Sequence, residues 1–374
     1  VQYKNSTVAQ DAEVAVPDAT AYTVTEVSKR VFSTDDIKRM IQELTGATTF
    51  YSDWKLNKND CLARLTFAKQ NLGKDGIDQK LIDYLETQFK NAPEQVNNPI
   101  LDLGKAPFDK FIYAYTDSGN GNASISSFIK DQNSFDYSRS ISQNFVPKSM
   151  MEPQTWEIPG EPDISESDAL AIAQSWLNKF GADLKLLRSE PCSVTETSAK
   201  IGTGWSFTFT REIAGLQKDY QFFPSFISHS SLPSTGAPWE EEVFRIVVDK
   251  DGVGMLSWSG ASKIGKTLSE NEPLLDLSEI QTRALNQMNF NLGDNLLEGL
   301  KVDYTITKYE LGISMISVKD QPGLGWYIPT WYVTYKFTSE EGLVFEEQIM
   351  FNAMDGSYIE PRVTTTELMA IGNR

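Results

Sequence analysis

Histidine and cysteine are almost absent from this 374-residue chain, which has one histidine, His229, and two cysteines, Cys61 and Cys192. Zinc sites normally draw several ligands from these residue types, so three such residues spread along the chain argue against a zinc site. Two isolated cysteines make no disulfide framework, and we interpret both as small buried apolar residues. A Ser-His-Asp or Cys-His arrangement would have to use His229, and no G-x-S-x-G motif accompanies it.

Positive charge is also scarce, with 34 lysines and arginines against 51 aspartates and glutamates and a net charge of −17. This balance repels phosphate backbones and anionic lipid headgroups, so we expect no nucleic-acid partner. No window approaches ~18 consecutive apolar residues, so the sequence predicts no membrane-spanning helix. The phosphate-binding motif G-x-x-x-x-G-K-[ST] is missing, as is a G-x-G-x-x-G after a strand, and we predict neither a cofactor nor a metal.

The acidic residues raise the question of calcium binding and of carboxylate catalysis. Oxygen ligands occur in DKDG at 249–252 and in DSGNGN at 117–122, but neither segment is a twelve-residue loop ending in glutamate. Both segments are typical of turns. The adjacent carboxylates of 240–242 and 346–347 alternate across a strand, so no pair has the ~5 to 9 Å separation that glycosidases use. We interpret them as solvated strand residues and expect no enzymatic activity.

One pattern occurs twice in the second half of the chain. Each copy has a capped amphipathic helix, a strand that opens with Gly-Trp, a strand rich in Glu and branched residues, and a closing Asp-Gly turn. The copies run from Ser165 through Gly204-Trp205 to Gly252, and from Asp276 through Gly325-Trp326 to Gly356. A helix followed by antiparallel strands predicts a helix packed across one face of a curved sheet.

The part of the chain before these repeats predicts a further α+β module. A strand over 21–32 is followed by a helix that Ser33 and Asp36 cap, and by two more helices around 59–72 and 77–91. The predicted fold class is therefore α+β, with helices packed on antiparallel sheets. The predicted segments are a flexible tether at 1–20, an N-terminal α+β domain at 21–155, a first repeat at 156–272 and a second repeat at 273–374.

The two repeats differ in one connection. The first copy carries a long segment within 213–240, whereas the second closes the same connection with little more than SEEG. A long loop inside a compact domain is uncommon unless it has a function or is disordered, and its aromatic residues argue against plain disorder. The segment is either an interaction loop or a cover over the sheet edge. The candidate interaction residues are Tyr220, Phe222, Phe223, Phe226, His229 and Trp239.

Several segments resemble a family of uncharacterised lipoproteins from gut Gram-positive anaerobes. The resemblance rests on FSTDDIKRMIQELTG, NDCLARL, ISESDALAIAQSWLNKFG, YELGISMISVKDQPGLGWYIPTWYVTYKF and IMFNAMDGSYIEP, and it covers about 21–361. The repeats also resemble PepSY-type modules and extracellular regulators of the YycH and YycI type, which modulate a sensor kinase at the membrane. The resemblance implies duplicated PepSY/cystatin-like repeats and carries over no catalytic residue. Unlike those regulators, this sequence predicts no transmembrane anchor.

Together these features predict a non-enzymatic extracytoplasmic ectodomain that binds or regulates an envelope partner. We expect its membrane association to come only from a removed N-terminal lipid anchor that held it at the cell surface. The alternative is a glycan-binding accessory protein or a hydrolase acting on envelope or dietary polysaccharide, because exposed aromatic side chains can stack on sugars. Inhibition of a secreted protease is a third hypothesis, with no motif behind it.

Overall fold

The structure is a computed structural model with a mixed α+β fold. It describes the chain except for residues 1, 4–5, 20, 74–76, 106–110, 118–122, 130–132, 142, 149–160, 197–198, 219–236, 294–301, 339–343 and 360–374. Five α-helices lie in the described part: α1 (Thr34–Thr45), α2 (Lys58–Gln70), α3 (Gln79–Asn91), α4 (Glu166–Phe180) and α5 (Leu277–Gly293). A short 3₁₀ turn spans Leu103–Lys105.

The described residues also form eighteen strands, which is the larger share of the regular structure. In chain order they are β1 (Gln2–Tyr3), β2 (Ser6–Ala15), β3 (Val24–Lys29), β4 (Phe111–Asp117), β5 (Ala123–Ile129), β6 (Phe135–Ser138), β7 (Gln143–Pro147), β8 (Lys185–Glu196), β9 (Ala199–Thr210), β10 (Glu212–Ile213), β11 (Leu216–Gln217), β12 (Val243–Asp249), β13 (Gly252–Ser259), β14 (Ser262–Ser269), β15 (Val302–Val318), β16 (Gln321–Thr338), β17 (Val344–Asn352) and β18 (Tyr358–Ile359).

Helices α1 and α4 begin where their capping residues predict. Ser33 Oγ accepts the Asp36 amide at 3.1 Å, and the Asp36 carboxylate accepts the Ser33 amide at 3.0 Å. This reciprocal pair satisfies two backbone donors that the first turn would otherwise leave open. Ser165 Oγ likewise accepts the Asp168 amide at 3.1 Å, and Gly181 ends α4 with a φ of 64°. The left-handed backbone at this position favours glycine.

The chain forms two compact units, and each is built from separate stretches. Unit 1 contains Val1–Lys29, Arg211–Glu241 and Ser262–Arg374, and unit 2 contains Arg30–Thr210 and Glu242–Ala261. The boundaries of these units differ from those of the predicted segments. The first stretch of the chain lies in the unit that holds the second repeat, whereas most of the predicted N-terminal domain shares a unit with the first repeat.

Unit 2 is an eight-stranded sheet with helices on one face. The strand order is β4-β5-β6-β13-β12-β9-β8-β7, and every neighbouring pair is antiparallel. Residues from α1, α4 and the strands share one core, which explains why the predicted N-terminal domain and first repeat form a single unit. The largest contributors include Phe32, Met40, Leu177, Phe180, Phe207, Phe244 and Trp258.

The unit 2 sheet is strongly curled. Phe145 on β7 lies so close to Gly254 on β13 that any side chain at 254 would collide with its ring. Three strands separate β7 from β13 in the sheet, so this contact requires the sheet to bend round. The curled face encloses a second small cluster of Phe145, Cys192, Val194 and Val247. Gly254 is therefore required for a close approach rather than for a turn.

Unit 1 is a second eight-stranded sheet, in the order β1-β2-β15-β16-β17-β18, with β3 paired to both β16 and β14. Its longest strands, β15 and β16, form an antiparallel hairpin. Helix α5 contributes Ile280, Ala284 and Met288 to a core that includes Tyr309, Trp331 and Phe351 from the strands. Each of the two copies of the predicted repeat thus consists of a helix followed by an antiparallel meander, which agrees with the predicted α+β class.

The predicted tether differs from the structure. Residues Ser6–Ala15 form β2, which pairs in parallel with β15 from Val302 to Glu310. The pairing joins segments that are about 300 residues apart, and backbone hydrogen bonds to β15 order a stretch whose own sequence has little periodicity. Local pattern could not indicate this strand, because its partner lies near the other end of the chain.

The two Gly-Trp pairs are not equivalent in the sheets. Both lie inside a long strand rather than at its start, and Trp205 pairs with Val248 on the strand that leads into the DKDG turn. In the second copy of the repeat, the strand in the place of β12 is β17. Its residue Phe351 pairs with Trp331, whereas Trp326 pairs with Glu26 on β3. The likeness of the two Gly-Trp motifs therefore does not mark matching positions in the two sheets.

Candidate functional site

The candidate interaction residues fall largely outside the described part of the chain. Tyr220, Phe222, Phe223, Phe226 and His229 belong to residues 219–236, which the structure does not describe. Trp239 is described. We call residues 211–218 and 237–241, which flank this segment, its two feet, and both lie in unit 1. The feet decide how the segment is attached.

The first foot is a tight hairpin. Strands β10 and β11 pair antiparallel, and the two residues between them, Ala214 and Gly215, have φ values of 53° and 90°. Such a left-handed two-residue turn is typical of short hairpins. Leu216 on β11 is buried in the unit 1 core. Part of the predicted long loop is thus regular structure.

Lys218, the residue just before the undescribed segment, is held by charge and by an aromatic ring. Its side chain is 3% exposed, and its ammonium donates to Glu310 on β15. The same ammonium lies 4.1 Å from the centre of the Tyr332 ring on β16, within cation–π range. The Tyr332 hydroxyl in turn donates to the Ile313 carbonyl at 2.6 Å, which fixes the ring.

Glu310 is shared between two lysines. Lys308 donates to its second oxygen at 3.0 Å, so one carboxylate pairs with two ammonium groups. Burial alone would raise the pKa of Glu310, but the charges and hydrogen bonds of Lys218 and Lys308 together outweigh burial and lower the pKa. The carboxylate is therefore ionised at neutral pH and anchors the first foot to the sheet.

The second foot is anchored by Trp239. Its side chain is buried, with 3% exposure, and its indole N–H donates to Ser262 Oγ at 3.0 Å. Ala237 is buried beside it in the same core. Trp239 was expected to be an interaction residue, but in the structure it fixes the end of the segment to the first residue of β14. A buried indole usually needs such a polar partner, which explains its position.

Strand β14, to which the second foot is attached, has an unusual exposure pattern. Residues 263–268 are all exposed, whereas a strand with one buried face alternates between buried and exposed side chains. The strand pairs with β3, and within the described chain it has no second neighbour. Sequence reasoning did not identify this strand. The sequence feature that could have indicated an exposed strand is SKIGKTLS, where two lysines and two isolated aliphatic residues occur together in a chain of negative net charge.

The carboxylates considered for catalysis have structural partners. Glu242 is 1% exposed and accepts the Trp258 indole N–H at 3.2 Å. Glu346 pairs with Lys336 at 3.1 Å, and Glu347 accepts the hydroxyl of Tyr335. Burial raises the pKa of Tyr335 above its ordinary value, and both the charge of Glu347 and the hydrogen bond to it raise the pKa further. Glu242 is therefore a core residue and not the solvated strand residue predicted.

The DKDG turn at 249–252 is closed by an arginine rather than arranged around a cation. Both oxygens of Asp249 accept from Arg139, at 2.9 and 2.7 Å, and one also accepts the Asp251 amide. The Arg139 pKa is raised, first by its hydrogen bond to Asp249. For the 117–122 segment only Asp117 is described. Among the described residues no group of three or more His, Cys, Asp or Glu is placed to hold a metal ion.

Aromatic and thiol groups are mostly internal. The seven tryptophans that the structure describes are buried or half-buried, and the clearly exposed aromatic rings in the described chain are Tyr84 and Tyr113. Both cysteines are free and buried, as expected, and burial raises the pKa of Cys192 to about 12. No helix in the described chain combines the length and apolarity needed to cross a membrane.

Comparisons with known proteins add little to this geometry. No family model matches the chain, and no curated protein matches it. Among solved structures it is similar to the crystal structure of an uncharacterized protein from Eubacterium rectale ATCC 33656, at 12% identity and a TM-score of 0.48. The match covers 97% of this chain and 92% of that chain. At this identity and score the likeness supports no inference about function.

Proposed function

We propose that this protein is a non-enzymatic extracytoplasmic binding protein that uses the 219–236 segment to engage a protein of the cell envelope. The observation that supports this most is the attachment of both feet. The first foot is anchored by the ion pair of Lys218 with Glu310. The second foot is anchored by the buried Trp239, which donates a hydrogen bond to Ser262. These buried anchors fix the points at which the chain leaves and re-enters the described part of unit 1, and functional loops are commonly attached to a rigid scaffold in this way.

The composition of the segment fits this role. Residues 219–236 contain one tyrosine, three phenylalanines and one histidine. Aromatic residues are enriched at protein interfaces because they bury a large area at a small cost in side-chain entropy. The second repeat has the same order of helix and strands without this insertion, so the fold itself does not require it. We assign it to function for that reason.

Two finer parts of the proposal rest on the sequence resemblance. We propose that the helix-and-meander halves are PepSY-like repeats, which the shared order of α4 with β8, β9, β12 and β13 and of α5 with β15–β18 supports. We also propose that an N-terminal lipid anchor holds the protein at the cell surface. Labelling the full gene product with a fatty-acid analogue in a Gram-positive host tests the anchor, and an unlabelled product would overturn it.

Binding is tested by replacing residues 219–236 with a short Gly-Ser linker that keeps both feet. A photo-crosslinking amino acid at Phe223 first identifies the envelope protein captured by the wild-type chain. Affinity for that purified protein is then measured by surface plasmon resonance. We expect the linker variant to lose binding, and the variant Phe222→Ser/Phe223→Ser/Phe226→Ser to lose at least about tenfold in affinity, since interface aromatics often dominate binding energy.

A matched control is Tyr84→Ser, which removes an exposed aromatic ring from α3 in unit 2. We expect this variant to bind like the wild type. Unchanged affinity of the linker variant would remove the segment from the proposal. Binding to envelope polysaccharide on a glycan array, lost with the linker, would instead favour the glycan-binding alternative.

A further inference from the structure

Strand β14 presents an open backbone edge and two open faces. All six residues from Lys263 to Leu268 are exposed in the folded chain, and β3 is the one strand that pairs with β14 in the described structure. An unpaired strand edge offers a row of N–H and C=O groups that can pair with another extended chain. Among the described strands none pairs with the other edge of β14, so this row of backbone groups is open within the part of the chain that the structure describes.

The charge of the edge is opposite to that of the protein. Lys263 and Lys266 lie on β14, and neither forms an ion pair with a residue that the structure describes. The whole chain has a net charge of −17. A second copy would place these lysines beside another pair of lysines and would bring together two strongly acidic proteins. An acidic extended segment complements the edge, whereas a copy of the same chain does not.

Two aliphatic residues share this strand with the lysines. Ile264 is 40% exposed and Leu268 is 39% exposed, and the pairing with β3 is irregular between Ile264 and Ser269. Lysines and bulges on an edge commonly prevent uncontrolled strand pairing. Exposed aliphatic side chains work against such protection. Their presence with the lysines fits an edge that rejects most strands and accepts one with acidic and apolar residues.

We propose that β14 binds an acidic, extended segment of a partner protein by adding it as a strand to the unit 1 sheet. This inference rests on the proposed role as a binding protein and names the chemistry of the partner. Ser262, the first residue of β14, accepts the indole N–H of Trp239, so the second foot of the 219–236 segment is bonded directly to this strand. A partner that contacts the segment therefore has an open strand edge within the same unit.

The test uses synthetic peptides and the full chain. One peptide alternates Glu and Val over about eight residues, the length of an ordinary strand. A second alternates Lys and Val, and a third is the acidic peptide with N-methyl groups along one backbone edge. Fluorescence anisotropy measures binding, and hydrogen exchange with mass spectrometry locates it. We expect the acidic peptide to bind, the basic one not to bind, and the N-methylated one to bind at least about tenfold more weakly because strand pairing needs the amide donors.

Charge reversal on the strand provides the matching variants. Lys263→Glu/Lys266→Glu is expected to weaken binding of the acidic peptide by about tenfold, since two exposed charge contacts become repulsive. Lys80→Glu/Lys90→Glu makes the same charge change on the exposed surface of α3 and is expected to leave affinity within about twofold. Bound peptide should slow amide exchange in residues 263–268.

Several outcomes would overturn the inference. Equal affinity for the acidic and N-methylated peptides would exclude strand addition, and slowed exchange elsewhere would exclude β14. Concentration-dependent dimerisation that protects 263–268 in sedimentation and exchange experiments would make a second copy the occupant. The linker variant separates the two proposals: peptide binding that survives while partner capture depends on 219–236 supports both. If the wild type does not bind the acidic peptide but still captures its partner through residues 219–236, the proposed edge site alone would be overturned.

Discussion

Lys218 and Glu310 join the start of the 219–236 segment to strand β15 through an ion pair that is almost inaccessible to solvent on the lysine side. Lys218→Met should destabilise the protein by about 1 to 3 kcal/mol, because Glu310 loses one of its two cationic partners while remaining partly buried. Urea unfolding measures the change. Lys336→Met removes the more exposed pair with Glu346 in the same sheet and should cost under about 1 kcal/mol. Equal effects of the two variants would contradict the anchoring role.

Acid should weaken the same anchor. The folded-state pKa of Glu310 lies below its ordinary value of 4.5, because Lys218 and Lys308 outweigh the effect of burial. A lowered pKa contributes stability that is fully present above the unfolded-state value and is lost as the pH falls through the folded-state value. The difference in unfolding free energy between wild type and Glu310→Gln should therefore be constant above about pH 5 and shrink below pH 4.5. A difference that grows on acidification would refute this.

The second foot depends on one hydrogen bond within a packed core. Trp239→Phe keeps most of the buried ring but removes the donor to Ser262, and should cost about 1 kcal/mol more than the loss of ring area alone. Ser262→Ala leaves the indole N–H buried and should cost about 1 to 3 kcal/mol. A double-mutant cycle in urea isolates the bond, since removing both partners should cost less than the sum of the single changes. Strict additivity would show that the bond contributes nothing.

Local features of the sequence predicted local structure well. The caps at Ser33 and Ser165 depend on residues three positions apart, so the sequence contains all the information that they need. The order of helices and strands in the two repeats could likewise be predicted from local sequence patterns. The α+β class was therefore accessible before any tertiary contact was known.

Non-local pairing explains what sequence reasoning missed. The pairing of β2 with β15 and the opposition of Trp331 to Phe351 depend on which strands become neighbours, and no local periodicity encodes this. Trp239 has the residue type of an interface hot spot, yet it is buried in the unit 1 core and donates to Ser262 on β14. The open edge of β14 is likewise a consequence of strand order. The residues that anchor the segment, Lys218 and Trp239, could not be predicted as anchors because their partners lie on other strands.

The two thiols should be inert in the folded protein. Burial raises the pKa of Cys192 to about 12 and also raises that of Cys61, so almost no thiolate is present at neutral pH. A chromogenic disulfide reagent should label neither cysteine at pH 8 until denaturant unfolds the chain, after which both should react. In the variants Cys61→Ser and Cys192→Ser, the labelling that remains comes from the other cysteine, so the two variants assign the signal. Rapid labelling of the native wild type would show that one thiol is accessible.

The turn at 249–252 should be independent of calcium. Asp249 is 5% exposed, and both of its oxygens accept from Arg139, so a cation would have to displace a bidentate arginine. Millimolar Ca²⁺ should therefore leave the melting temperature of the wild type unchanged. Arg139→Met should destabilise unit 2 by about 3 kcal/mol, because it leaves a buried carboxylate unpaired. Asp249→Asn in the same background should recover part of that loss, since the unpaired charge is then removed. Stabilisation of the wild type by Ca²⁺ would instead show that the cation competes successfully with Arg139.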